Sequence, residues 1–86
     1  MRVHIPTPLR SYTKGLANVR ADGDTVGDVL TDLDRQFPGI RFRVVDEQGQ
    51  MRQHMVVWID GERCRDLTTD VTALDELVLM QALSGG

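Results

Sequence analysis

The fold is decided by the stretch from residue 22 to residue 39, which reads DGDTVGDVLTDLDRQFPG. Asp22-Gly23-Asp24 ends an extended segment, and Thr25 then stands where a helix N-cap is expected, with Asp28 as its capping-box partner. Pro38-Gly39 ends the helix. Between these signals, apolar side chains recur at helical spacing and form one stripe: Val26, Val29, Leu30, Leu33 and Phe37. The stretch therefore predicts an amphipathic helix that buries one face.

The residues before this helix predict a pair of strands. Met1, Val3 and Ile5 alternate with polar residues, as expected of a strand with one buried face. Two prolines follow closely and remove backbone donors, so we expect this strand to fray beyond Ile5. The apolar pattern returns from Leu16 to Ala21, after a turn, and predicts a hairpin partner for the first strand.

The residues after the helix predict three more strands. Met55 to Ile59 is an apolar run that suits a central strand, and Asp60-Gly61 is a strong hairpin signal ahead of a short return strand at 62–65. A connector follows, and the last strand, at 77–82, is also apolar enough to be central. The segment from Ile40 to Gln53 is ambiguous, since a strand, a turn of helix and a packed loop all fit it.

The order of elements is strand, strand, helix, strand, short strand, strand. A helix between two hairpin-like pairs, with a central last strand, predicts an α+β domain of the β-grasp type, in which a mixed sheet packs on one helix. We expect this domain to span residues 1–82 and residues 83–86 to form a flexible tail.

Size and composition restrict the kinds of function open to the chain. It has 86 residues, a formal net charge of -3 and one cysteine. A domain this small has no room for a deep cleft beside its core, and the negative charge disfavours nucleic acid as a partner. No intramolecular disulfide can form, and no apolar run approaches the length of a membrane span. We therefore expect a cytoplasmic protein that binds neither nucleic acid nor membranes.

Few residues offer the chemistry of an active site. His4, His54 and Cys64 do not stand at metal-ligand spacing, so we predict no metal site. A nucleophilic pair of Cys64 and His54 is conceivable across the second hairpin, although no third residue is evident to orient the base. Trp58 fits a core position better than a partner's pocket, and the helix aspartates fit a solvated face. We therefore predict no catalytic residue.

The sequence ends in Gly85-Gly86, for which two explanations are open. A frayed end is the simpler one. The functional one is that a diglycine, having no Cβ atoms, can thread a narrow channel into another protein's active site and present its carboxylate there. Adenylation could then activate the carboxylate of Gly86 to accept sulfur and become a thiocarboxylate.

Three motifs accompany this tail: Ile5-Pro6-Thr7-Pro8-Leu9-Arg10, the helix entry from Gly23 to Leu33, and the hairpin from Met55 to Glu62. With the tail, they resemble the ubiquitin-like sulfur carriers, which include the small subunit of molybdopterin synthase and the carrier of thiamine biosynthesis. The resemblance runs through almost the whole chain and is strongest to the branch that supplies sulfur for cysteine biosynthesis. The tail, Gln81 to Gly86, departs from that branch in lacking a proline.

The resemblance implies a cycle in which partner enzymes act on Gly86. An enzyme of the ubiquitin-activating type would adenylate its carboxylate with ATP, and sulfur transfer would give the thiocarboxylate. A synthase would then take the sulfur; in the cysteine branch it would use pyridoxal phosphate (PLP), and a zinc metalloprotease would release the product. The chain would be a protein cosubstrate without a cofactor of its own. The small subunit of molybdopterin synthase and a non-catalytic ubiquitin-like binding module remain alternatives.

A partner that acts on Gly86 needs a surface of the domain to bind. The last strand is apolar on both faces, and alternate residues of a strand face opposite sides. Either Leu77 and Leu79 or Val78 and Met80 must therefore lie away from the helix. We predict that the exposed pair docks the activating enzyme, together with neighbours on the preceding long strand and with Leu83.

Overall fold

A computed structural model of the chain describes residues 1–82. Five strands form one sheet in the order β2-β1-β5-β3-β4. Their bounds are Arg2–His4 (β1), Asn18–Arg20 (β2), Met55–Ile59 (β3), Glu62–Cys64 (β4) and Glu76–Gln81 (β5). The central pair, β1 and β5, is parallel, and all other neighbours are antiparallel. This mixed sheet with a central last strand confirms the predicted β-grasp class.

The main helix, α1, spans Val26–Gln36 and begins after the predicted N-cap residue, Thr25. The Thr25 hydroxyl accepts a hydrogen bond from the Asp28 backbone N–H at 3.1 Å. The N–H groups of Val26 and Gly27, which have no partner within the helix, donate to carbonyls of the connector that precedes β5. The first turn of α1 is thus capped partly by its own side chain and partly by a segment about 40 residues away in sequence.

The apolar stripe of α1 packs on the sheet and forms the core. Four of its five predicted members are fully buried and join β-strand side chains in one cluster: Val26, Val29, Leu30 and Leu33. The prediction for Phe37 is wrong in part, because α1 ends at Gln36 and Phe37 is the C-cap residue, only partly buried at the edge of the core.

Gly23 is required where the chain enters α1. A Cβ atom at this position would lie 2.5 Å from the Val29 nitrogen and 2.7 Å from the Asp28 carbonyl carbon. Because these neighbours are backbone atoms of the helix, they cannot move aside without distorting it, and only glycine allows so close an approach.

The ambiguous segment after α1 contains a second, short helix, α2, at Ile40–Val44, so the expectation of a single helix is corrected. Gly39 makes the reversal between the two helices with φ at +100°. The Asp34 carboxylate accepts hydrogen bonds from the N–H groups of Gly39 and Arg41, both at 3.0 Å, and thereby ties the two helices together. A β-bridge between Val45 and Met51 closes the turn that follows.

Both predicted hairpins form; β3 has the predicted bounds, and the other three strands are shorter than the sequence suggested. The first strand stops at His4, and Thr7–Leu9 is a turn of 3-10 helix that places Leu9 in the core, consistent with the prolines around it. Asp60 and Gly61 both have positive φ, 53° and 79°, as a two-residue type I′ turn requires. The division of the chain into a domain at 1–82 and a tail at 83–86 stays a prediction, because the tail lies outside the described residues.

Candidate functional site

The two faces of β5 have different environments. Leu77 and Leu79 are 0% exposed and belong to the core cluster under α1. They are therefore the buried pair of the two between which the sequence did not decide. Val78 is half-buried and Met80 is 45% exposed on the opposite face of the strand. The choice that the sequence left open is thus settled in favour of Val78 and Met80.

The strand β3 adds two apolar side chains to the same face. In the antiparallel register, Val56 lies opposite Met80 and Trp58 lies opposite Val78. Directly opposed residues share a face of the sheet, so these four side chains form one cluster, which we call the open-face patch: Val56, Trp58, Val78 and Met80. Val56 is largely covered, whereas Trp58 is only half-buried. The sequence placed Trp58 in the core; its position on this face corrects that prediction.

Half of the open-face patch, Val78 and Met80, lies on β5, the strand that leads into the diglycine sequence. Beyond Met80, the N–H of Ala82 donates to the His54 carbonyl at 2.7 Å and extends the β5–β3 pairing to the last described residue. A groove beside β5 is lined by Pro6, Pro8 and Met80 among others, and it runs along this same stretch. The predicted site residues Leu83, Gly85 and Gly86 lie outside the described residues.

The structure does not bring Cys64 and His54 together. The Cys64 thiol lies on the core side of β4, where Sγ is 3.2 Å from the Thr69 hydroxyl and 3.4 Å from the Asp66 carbonyl oxygen. His54 is exposed just before β3. His4 lies in β1, with Nδ1 at 3.4 Å from the Asn18 side-chain oxygen. Within residues 1–82, no three His, Cys, Asp or Glu side chains converge as metal ligands would.

The helix aspartates have structural partners. Asp32 accepts a hydrogen bond from the Asp22 backbone N–H at 2.9 Å and forms an ion pair with Arg35. These contacts, that of Asp22 first, hold the pKa of the Asp32 carboxyl below its ordinary value. Asp34 instead ties α1 to α2. The carboxylates are therefore not arranged as a pair for acid–base chemistry.

Trp58 and Val56 are the patch residues that the sequence did not identify individually. Their apolar character was evident, but their face depends on how β3 pairs with β5, which joins residues 20 or more positions apart. The Asp60-Gly61 turn fixes the register of β3 only against β4. No local signal in the sequence could have placed Trp58 beside Val78.

No helix within residues 1–82 is long and apolar enough to cross a bilayer.

Comparison with known proteins gives one consistent family. The ThiS family model matches residues 3–86. The sulfur carrier protein CysO of Mycobacterium tuberculosis is 34% identical over 89 residues, which cover 98% of this chain and 96% of that protein. The small archaeal modifier protein 1 of Haloferax volcanii is 39% identical over 69 residues, which cover 79% and 78% of the two chains.

Solved structures agree with these sequence matches. A chain of the BexX/CysO complex of Amycolatopsis orientalis superposes with a TM-score of 0.89 at 33% identity, over 99% of this chain and 98% of that one. The structure of CysO of Mycobacterium tuberculosis gives a TM-score of 0.88 at 32% identity, over 95% and 98% of the two chains.

Proposed function

The chain belongs to the ThiS family of ubiquitin-like sulfur carriers, and from this premise we propose that it carries sulfur on the carboxylate of Gly86. One observation supports this most directly: the family match extends to residue 86, so the diglycine falls inside the matched region. The domain would then serve as the part that partners bind, and the tail as the part on which they act.

The proposed chemistry needs two displacements at the chain's end, both catalysed by a partner. A carboxylate is a poor electrophile, because its negative charge repels nucleophiles. In the first step a Gly86 carboxylate oxygen attacks the α-phosphorus of ATP, and pyrophosphate leaves. In the second, a hydrosulfide-equivalent donor attacks the resulting acyl-adenylate, and AMP leaves the thiocarboxylate behind. Glycine at both terminal positions suits this role, since the absence of Cβ atoms lets the tail enter a narrow channel.

We assign the docking of the activating enzyme to the open-face patch. Its four apolar side chains share the sheet face away from α1, where Met80 is exposed and Trp58 and Val78 are half-buried, and β5 leads from it towards Gly86. Apolar side chains that cluster on an exposed face are typical of protein–protein contacts. That a CysO has been crystallised in a complex with BexX supports docking of such carriers to other proteins.

The sulfur acceptor that we propose is a PLP-dependent cysteine synthase, with a zinc metalloprotease releasing the product. The identity to CysO over 98% of the chain favours this branch over the small subunit of molybdopterin synthase. ATP, PLP and zinc would all be held by these partners. The chain would be consumed and regenerated as a cosubstrate.

The test is the intact mass of the chain after incubation with ATP, sulfide and the adenylating enzyme. The unchanged chain should gain the mass difference between sulfur and oxygen. A variant lacking Gly86 should keep its fold and fail to gain this mass, because the tail no longer reaches the bound nucleotide. Ser84→Ala is the matched control: it keeps the tail's length and both glycines, and it should load normally. Normal loading of the chain without Gly86 would show that the proposal is wrong.

A further inference from the structure

Basic side chains, three arginines and a histidine, surround the point where β5 ends. A groove on one side of Gln81 is lined by Arg43, Arg52 and His54. A groove on its other side includes Arg10. We call these four residues the basic collar. They come from three separate segments of the chain, and the sheet brings them together around the last residue of β5.

Two of the three arginines of the basic collar, Arg52 and Arg10, are held by backbone carbonyls, and Arg52 also lies over an aromatic ring. Arg52 Nε donates to the Phe42 carbonyl at 2.7 Å, and its guanidinium carbon lies 4.7 Å from the centre of the Phe42 ring. Arg10 Nε donates to the Ile5 carbonyl at 3.0 Å. Within residues 1–82, none of the collar arginines forms an ion pair with a carboxylate. Their terminal nitrogens therefore keep donors that can bind an outside group.

This concentration of positive charge runs against the composition of the chain. Acidic residues outnumber Lys and Arg by 13 to 10, yet neither groove beside Gln81 contains an aspartate or glutamate. Acidic side chains instead line the groove at the opposite end of the open-face patch: Asp60, Asp75 and Glu76. Of these, Glu76 is itself paired with Arg2, whereas no carboxylate lines the grooves beside the last residue of β5.

We propose that the basic collar binds carboxylates at the entrance of the channel into which the activating enzyme takes the tail. This inference rests on the proposed function. Four residues follow Ala82, and an extended chain of that length spans at most about 14 Å. A protein that acts on Gly86 must therefore bring its channel entrance close to the collar. Guanidinium groups pair with carboxylates through two parallel hydrogen bonds, which makes an acidic rim the matching surface.

The expected effect of the collar is on encounter and orientation. Complementary charge around an interface raises the association rate, by about tenfold or more at low ionic strength, and the effect falls as salt is added. Since the collar residues line the grooves beside Gln81, at the end of β5, pairing there also orients the tail towards the channel. The open-face patch would then supply apolar contact and the collar would supply direction.

The test compares Arg43→Glu with Arg20→Glu in the sulfur-loading reaction. Arg43 is exposed on α2 and Arg20 is exposed on the edge strand β2. Both substitutions replace an arginine by a glutamate, so the two variants change the net charge equally. Arg43→Glu should raise the KM for the carrier about tenfold at low salt, with kcat nearly unchanged and the difference shrinking as salt is added. Arg20→Glu should change KM less than about twofold. Arg43→Lys keeps the positive charge and should retain most of the affinity of the unchanged chain.

The outcomes separate this inference from the proposed function. Equal KM values for Arg43→Glu and Arg20→Glu in a chain that loads sulfur would overturn the collar and leave the carrier role standing. A fall in kcat at unchanged KM would also overturn it, because the collar would then act on the chemistry rather than on docking. Failure of the unchanged chain to load would overturn the carrier role, and with it the collar.

Discussion

Cys64 is the residue whose chemistry most invites an enzymatic explanation, and its surroundings argue against one. The thiol packs partly against the core and lies within hydrogen-bond distance of Thr69 and Asp66. A nucleophilic cysteine needs a nearby base, and the exposed His54 is not among the contacts of the thiol. In a carrier, moreover, the reacting group is a carboxylate.

We therefore predict that Cys64→Ser loads sulfur as the unchanged chain does. The serine hydroxyl can make the same two hydrogen bonds, and because the site is only partly buried, the free energy of unfolding should change by about 1 kcal/mol or less. Intact mass after loading and thermal unfolding measure the two effects. A folded Cys64→Ser protein that cannot be loaded would contradict the carrier mechanism and favour a thiol enzyme.

At single residues, the sequence predicted chemical character better than orientation. Thr25 was identified as the N-cap, because its partner lies three residues away and the signal is local. Trp58 was assigned to the wrong face of the sheet and Phe37 to full burial. The face of Trp58 and the burial of Phe37 both depend on the position of a neighbouring segment, which the spacing of residues in the sequence does not indicate.

Among the elements, β5 combines structure and function in one strand. Its alternate residues are divided between the core and the open-face patch, so substitutions on its two faces should have different effects. The pairing of β5 with both β1 and β3 makes it the middle of the sheet. A charge on its inner face must be buried in the core, whereas a charge on its outer face can reach solvent.

We predict that Val78→Asp/Met80→Asp leaves the melting temperature nearly unchanged and abolishes binding to the activating enzyme. The loss should exceed about 2 kcal/mol, roughly a thirtyfold fall in affinity. Leu77→Asp/Leu79→Asp should instead unfold the domain, since both positions are fully buried. Thermal unfolding and titration calorimetry distinguish the pairs. Undiminished binding by the folded Val78/Met80 variant would show that the enzyme docks elsewhere.

The elements were largely predictable because their signals are short. Each of these signals is made by residues only a few positions apart: the stripe of α1, the Asp60-Gly61 turn and the apolar runs of β3 and β5. The capping of α1 by the carbonyls of Leu67 and Thr69 was not predictable, because it joins segments far apart in the sequence. The same is true of α2, whose five residues are too few to show a helical period.

For the whole molecule, the central position of the last strand followed from the predicted β-grasp pattern, whereas the distribution of charge followed only from the structure. The elements β2 and α1 separate Arg10 from Arg43 and Arg52 along the chain, and nothing in the spacing of the three arginines places them around Gln81. A carrier of this size has no room in its interior for a binding cleft. Its specificity must therefore lie in what its surface presents near the tail.

Stability also depends on contacts that lie between elements. The connector before β5 contains two turns, in which Asp66 accepts hydrogen bonds from Thr68 and Asp70 accepts them from Thr72. In each turn, the hydrogen bond from the threonine hydroxyl lowers the pKa of the aspartate most, and the bond from the threonine backbone N–H lowers it next. Both carboxyls therefore have a pKa below the ordinary aspartate value of 3.8. Because this connector caps α1, the charge state of its turns acts on the whole fold.

We therefore predict that acid destabilises the domain partly through these two turns. A carboxyl whose pKa is lower in the folded state contributes stability that is complete above the unfolded value of 3.8, and this contribution is lost as the pH falls through the folded value. Asp66→Asn/Asp70→Asn should consequently lose less stability than the unchanged chain between neutral pH and about pH 3, measured by urea unfolding. Asp60→Asn is the control, since within residues 1–82 its carboxylate accepts no hydrogen bond and asparagine suits its turn. Identical pH dependence in the double variant and this control would show that the connector turns do not contribute to acid unfolding.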